Sequence, residues 1–148
     1  MQDQNEWRNN LINDDDRIRE ILEQAKRIAV IGIKDSRSQP AYYVPHYLLE
    51  QGYEIVPVSP KLERVFDIEA FDSLADAPGD IDIAVVFRRP EFIRNHAEEA
   101  LVKRPRVFWT QSGIVDWASA ELMARSGIKV VMDRCMMVDH QRLLGRRR

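Results

Sequence analysis

The segment Arg27-Ile-Ala-Val-Ile-Gly-Ile33 constrains the fold of this chain more than any other. It is apolar, rich in β-branched residues, too short for a buried helix, and interrupted by a glycine near its end. Such a run reads as a strand covered on both faces, the pattern of a parallel sheet. The pattern returns at Tyr53–Val58, Asp80–Phe87, Arg106–Thr110 and Ile128–Met132, with a weaker run at Ile68–Phe71. Segments of helical spacing lie around and between these runs. The first covers residues 14–25, with Asn13 as its cap, acids in its first turn and Ile18, Ile21, Leu22 and Ala25 as its apolar face. The second opens at Pro40 and closes at Gly52, with Val44, Tyr47, Leu48 and Tyr43 turned inward. Others are expected at Ser73–Ala77, Pro90–Val102, Asp116–Ser126 and Met136–Leu144.

Strand and helix in alternation predict an α/β fold: a Rossmann-like, doubly wound parallel sheet in three α/β/α layers, with strand order 3-2-1-4-5-6. Residues 1–13 are polar and are read as a flexible leader, residues 14–144 as a single domain, and residues 145–148 as a basic tail. There is no internal repeat.

Charge narrows the choice of partner. The chain has 22 Lys and Arg against 24 Asp and Glu, a net charge of −2. A nucleic-acid binder would carry a basic excess, so nucleic acid is not expected. No run approaches the roughly 20 apolar residues of a membrane span, and the start lacks the apolar core of a signal peptide. With Cys135 as the single cysteine, an internal disulfide is impossible. A soluble, reduced, cytoplasmic protein is expected, and a homodimer is open to it.

In a doubly wound sheet the ligand sits beyond the carboxyl ends of the strands, where the strand order reverses. The loops Gly32–Pro40, Ser59–Lys61 and Arg88–Pro90 should therefore converge, with Gln111-Ser-Gly113 at their flank. Gly32 lets backbone approach a ligand, and the helix opening at Pro40 offers free N–H groups to an anion. Lys34, Arg37, Lys61, Arg88 and Arg89 add positive charge, so a phosphate or diphosphate is the natural occupant. NAD(P) is disfavoured, because the loop carries one glycine rather than G-x-G-x-x-G and strand two ends Pro57-Val-Ser-Pro-Lys61 without an acid. A Walker loop is also absent.

Several motifs then resemble those of the stand-alone CoA-binding domain proteins (YccU-like), over about residues 26–138. They are Ile28-Ala-Val-Ile-Gly-Ile33, Pro40 with Tyr42-Tyr-Val44 and Tyr47-Leu48, Gly52-Tyr53 leading to Pro57-Val-Ser-Pro60, Val86-Phe-Arg-Arg-Pro90, Trp109-Thr-Gln-Ser-Gly-Ile114 and Met132-Asp-Arg-Cys135. The chain is likewise similar to the N-terminal CoA-binding domain of the succinyl-CoA synthetase α subunit. The resemblance implies that CoA, or an acyl-CoA, is held by its nucleotide on Gly32, Ile33, Lys34, Asp35, Ser36, Arg37, Gln39 and Pro40. Val58, Ser59, Pro60 and Lys61 would complete that site together with Phe87, Arg88 and Arg89, with Gln111, Ser112 and Gly113 nearby. Lys34 stands where the family usually has serine, and Gln39-Pro40 where it usually has Arg-Pro.

No catalytic set is assembled. His46, His96 and His140 fall on separate helices without metal-ligand spacing, and Ser112 lacks a nucleophile turn and a His–Asp partner. Cys135, beside Arg134, is either a small buried residue at a strand end or a thiol able to form a mixed disulfide with bound CoA. Trp109 is expected in the core, and Trp117, one residue into its helix, either caps the crevice or packs, with packing preferred. The expectation is a binding, carrier or sensor module without chemistry of its own. The alternatives are an NAD(P)-dependent oxidoreductase and the CoA-binding subunit of an acyl-CoA ligase whose partner brings ATP.

Overall fold

The computed structural model describes residues 5–145. Its helices and strands follow in the order α1 (Asp15–Gln24), β1 (Arg27–Ile31), α2 (Pro40–Glu50), β2 (Glu54–Val58), β3 (Arg64–Val65), β4 (Ile68–Glu69), β5 (Ile83–Val86), α3 (Ile93–Lys103), β6 (Val107–Thr110), α4 (Trp117–Arg125), β7 (Lys129–Val131) and α5 (Met136–Leu144). Short 3-10 turns cover Glu6–Asn10, Leu74–Asp76 and Pro90–Phe92. The segment expected as a helix at Ser73–Ala77 is thus a single 3-10 turn. Arg146, Arg147 and Arg148 of the expected basic tail lie outside the described residues.

Five strands form one parallel sheet in the order β2-β1-β5-β6-β7. Alternate strand residues go to opposite faces, and both faces are buried. Ala29, Ile31, Ala84, Val86 and Phe108 pack with α3 and α4. Ile28, Val30, Ile83, Val85 and Trp109 pack with α1, α2 and α5. This double covering is what continuous apolar strands require, and the Rossmann-like α/β reading holds.

The third strand of the expected order is reduced to one residue. Phe71 makes a single parallel bridge to Val58: its N–H donates to Pro57 O at 3.0 Å, and its carbonyl accepts Ser59 N–H at 2.8 Å. The next rung would need an N–H from Pro57, which has none, so the ladder stops there. Ile68–Glu69 pairs instead with Arg64–Val65 as an antiparallel hairpin. Its turn residues Phe66 and Asp67 have φ of 54° and 62°, both left-handed as a tight two-residue hairpin turn demands. Strand order is otherwise as expected.

Residues 6–12, expected to be loose, dock on the sheet edge. Leu11 bridges Val130, Ile12 N–H donates to Val130 O at 2.8 Å, and Asn10 Nδ2 donates to Ala124 O at 2.8 Å. Ile12 is buried, and Trp7 lies between the guanidinium groups of Arg8 and Arg125. Leu11 and Ile12 thus cover part of the outer edge of β7, which would otherwise stand open, while Trp7 anchors the preceding turn on α4.

Smaller corrections follow from local chemistry. Asp14, not Asn13, caps α1 by accepting Arg17 N–H, while Asn13 accepts from Arg134. Ala41 and Pro45 join Val44 and Leu48 on the buried stripe of α2, and Tyr43 is exposed. Trp109 is fully buried as expected, whereas Trp117 is 62% exposed. No helix among the described residues is long and apolar enough to cross a membrane.

Candidate functional site

Three loops meet where β2, β1 and β5 end side by side. Gly32 has φ of +81°, a conformation that L side chains rarely adopt. A β-carbon there would lie 2.7 Å from Phe87 O and 2.9 Å from Arg88 Cδ, so conformation and space both demand glycine. Gly32 N–H donates to Val58 O and Phe87 N–H donates to Ile31 O, each at 2.9 Å. These two bonds lock the three strand tips together, so the turns that begin on them lie side by side.

Each turn has its own support. Ile33 is buried and anchors the first loop, which closes where Lys34 N–H donates to Ala41 O. Gln39 sits at the cap position of α2 in an extended conformation, with Pro40 as the first helical residue. No side chain caps this helix end, but Pro40 carries no N–H and the Tyr42 and Tyr43 N–H groups both donate to Gln39 O, so of the first turn only Ala41 N–H, with the helix dipole, is left to the loop. In the second turn Val58 and Ser59 are buried, and Ser59 Oγ accepts Lys61 N–H at 3.2 Å, leaving Pro60 and Lys61 exposed.

Lys34, Asp35, Ser36, Arg37, Lys61 and Arg89 are exposed, and Arg88 is half-buried. The Arg88 guanidinium lies 4.4 Å from the centre of the Phe92 ring. Among the described residues no carboxylate forms an ion pair with Lys34, Arg37, Lys61, Arg88 or Arg89, whereas Arg27, Arg64, Arg125, Arg134 and Arg142 are all paired. Lys26, Arg94 and Lys129, elsewhere on the fold, are likewise without an ion pair, so what marks these strand tips is five such cations on three adjacent turns. Phe92 escaped the sequence reading, although its place four residues beyond Arg88, past a helix-opening proline, was a signal.

The loop after β6 is the flank, as expected, but its polar groups serve the fold. Gln111 is buried, and its Oε1 accepts Met136 N–H at 3.1 Å, capping α5. Gly113 N–H donates to Asp133 Oδ1 at 2.6 Å, and Asp133 N–H donates to Thr110 Oγ1. Ser112 is exposed. Asp133 and Met136 were not seen as neighbours of this loop, because contacts between the β6 and β7 tips leave no trace in spacing.

Arg134 is committed elsewhere. Its guanidinium makes two bonds to Asp139, at 2.7 and 3.0 Å, and a third to Asn13. The Asp139 hydrogen bond holds its proton more tightly than in an ordinary arginine. Cys135 is partly exposed at the cap of α5 and packs on the same apolar cluster as Ile33 and Phe87. His46 stacks with Tyr42, His96 meets Glu99 at 2.8 Å, and His140 is buried with its Nδ1 2.8 Å from the Tyr47 hydroxyl.

The profile of the CoA binding domain family matches residues 26–141. The uncharacterized protein YneT of Bacillus subtilis is 39% identical over 123 residues, 83% of this chain and 91% of that protein. A protein of known structure from Thermus thermophilus, at 44% identity, superposes with a TM-score of 0.85 over 88% of this chain and 99% of that one. An ADP-forming acetate–CoA ligase of Methanocaldococcus jannaschii is 31% identical over 61 residues, and this chain spans only 9% of its length.

Proposed function

Since this chain belongs to the CoA binding domain family, we propose that its basic crevice holds coenzyme A, or an acyl-CoA, by the nucleotide phosphates. The close approach of Gly32 to Phe87 O and Arg88 carries this reading, because it joins the uncapped helix loop and the arginine turn into one cradle. The phosphates would lie at the positive end of the α2 dipole, near Ala41 N–H, and between Lys34, Arg37, Lys61, Arg88 and Arg89. Asp35 is the one acid within that loop and faces solvent. Ser59 stands at the end of β2, where an NAD site would carry an acid, so the adenosine of CoA fits better than that of NAD.

The reading assigns the protein a binding, carrier or sensor role. The polar groups beside the crevice are engaged in structure: Gln111 with Met136, Asp133 with Gly113, Arg134 with Asp139. Calorimetry with CoA, dephospho-CoA, NAD and ATP tests it. Binding should be strongest for CoA; tighter binding of NAD would overturn the assignment.

The likeness to an ADP-forming ligase favours a second reading, in which a separate chain brings ATP and this one presents CoA. ATP-dependent thioester formation by the protein together with a captured partner would support it, and capture of a partner without that activity would not.

A further inference from the structure

Charge is distributed unevenly along the row of strand tips. Along this row, Lys34, Arg37, Lys61, Arg88 and Arg89, which have no carboxylate partner among the described residues, belong to the turns after β1, β2 and β5. Beyond them, the β6 and β7 tips present the neutral loop Gln111–Gly113 and then Asp133, whose carboxylate is bound to Gly113 N–H. Arg134, the one cation there, is neutralised by Asp139. Past Asp133 the row ends in a groove outside β7, lined on one part by Leu11, Met132 and Trp117 and on the other by the polar Asn13, Asp133 and Arg134. Trp117 is 62% exposed at the start of α4, a large ring left beside the apolar part of this groove.

CoA has the same polarity along its length: phosphates at one end, an uncharged diamide arm, and a thiol or acyl group at the other. The β5 and β7 tips are two strand spacings apart, about 10 Å, a distance the extended arm covers. With phosphates in the cradle, the arm has one neutral direction in which to run, across Gly113 and Asp133. Resting on the nucleotide assignment above, we infer that the groove beside Trp117 receives a short apolar acyl chain, making a short-chain acyl-CoA thioester of about four to six carbons the preferred ligand over free CoA.

Calorimetry on the full chain with CoA, acetyl-CoA, butyryl-CoA and hexanoyl-CoA decides this. Affinity should rise about twofold to fourfold per methylene, according to how completely the groove covers it. Trp117→Ala should abolish that rise while leaving free CoA within about twofold of wild type, Trp117→Phe should retain most of it, and Arg88→Ala should weaken all four ligands by a similar factor. Affinity independent of chain length, with Arg88→Ala still weakening CoA, overturns the acyl groove and leaves the cradle standing. Failure of CoA to bind, or indifference to Arg88→Ala, removes both. If Trp117→Ala instead turns a sedimenting dimer into a monomer without affecting chain-length preference, the groove is a contact between copies and the inference is overturned.

Discussion

A β-carbon on Gly32 would stand 2.7 Å from the carbonyl oxygen of Phe87, 55 residues along the chain. The two strand tips are in contact there, and that contact sets the basic turn after β5 beside the loop after β1.

Gly32→Ala should be harmful twice over. The left-handed backbone costs an alanine about 1–2 kcal/mol, and the Phe87 carbonyl must move to admit the methyl group. A melting temperature lower by roughly 5 °C, together with at least tenfold weaker CoA binding, is expected from thermal unfolding and calorimetry. A variant as tight-binding as wild type would show that the two tips tolerate separation.

Arg88→Ala removes a cation with no protein partner other than a ring. Loss of a charge-assisted bond to phosphate is worth about 1.5–3 kcal/mol, which is tenfold or more in affinity, with little change in stability. The salt dependence of CoA binding should flatten as well. Phe92→Leu, which takes away only the ring beneath the guanidinium, should cost about 0.5–1 kcal/mol of affinity.

Gln111 separates the structural from the ligand role of the β6 loop. Gln111→Ala leaves Met136 N–H without its acceptor and should cost about 1–2 kcal/mol of stability in chemical denaturation. Gln111→Glu keeps the acceptor and hence most of that stability. Its new negative charge at the flank should instead lower CoA affinity severalfold, measured by calorimetry at neutral pH.

Acid should loosen the contact between α1 and α5. Arg142 donates two hydrogen bonds to Asp15, at 2.8 Å each, and holds its carboxyl below the ordinary value of 3.8. Asp14, bonded to Arg17, is lowered too. A carboxyl depressed on folding contributes stability above its unfolded value, and that contribution is lost as pH falls through the folded value. Urea midpoints should therefore drop as pH falls below about 3.8, and drop less steeply in Asp15→Asn. Equal slopes in both proteins would exclude Asp15 as a contributor.

Much of the architecture could be read from local pattern. Continuous apolar runs such as Ile28–Ile31 and Ile83–Val86 announce strands covered on both faces, and the alternation with helices then leaves few topologies open. Pro57 was visible too, yet its effect was not, because a missing N–H matters only once the neighbour that would have received it is known. Residues 6–12 were misread for the opposite reason: Trp7, Leu11 and Ile12 are too few to form a pattern, and acquire meaning only against α4 and the open edge of β7.

What the chain determined by itself is the set of elements and the placing of glycine and basic residues at their ends, since these follow from short-range geometry and hydrophobic periodicity. Tertiary structure alone decided which of those residues do which work. Arg88 faces the crevice on Phe92 while Arg134 is spent on Asp139, and Gln111 caps a helix instead of awaiting a ligand. Hydrogen bonds and ion pairs between residues distant in sequence depend on how strands and helices pack across the sheet, and no local spacing encodes them.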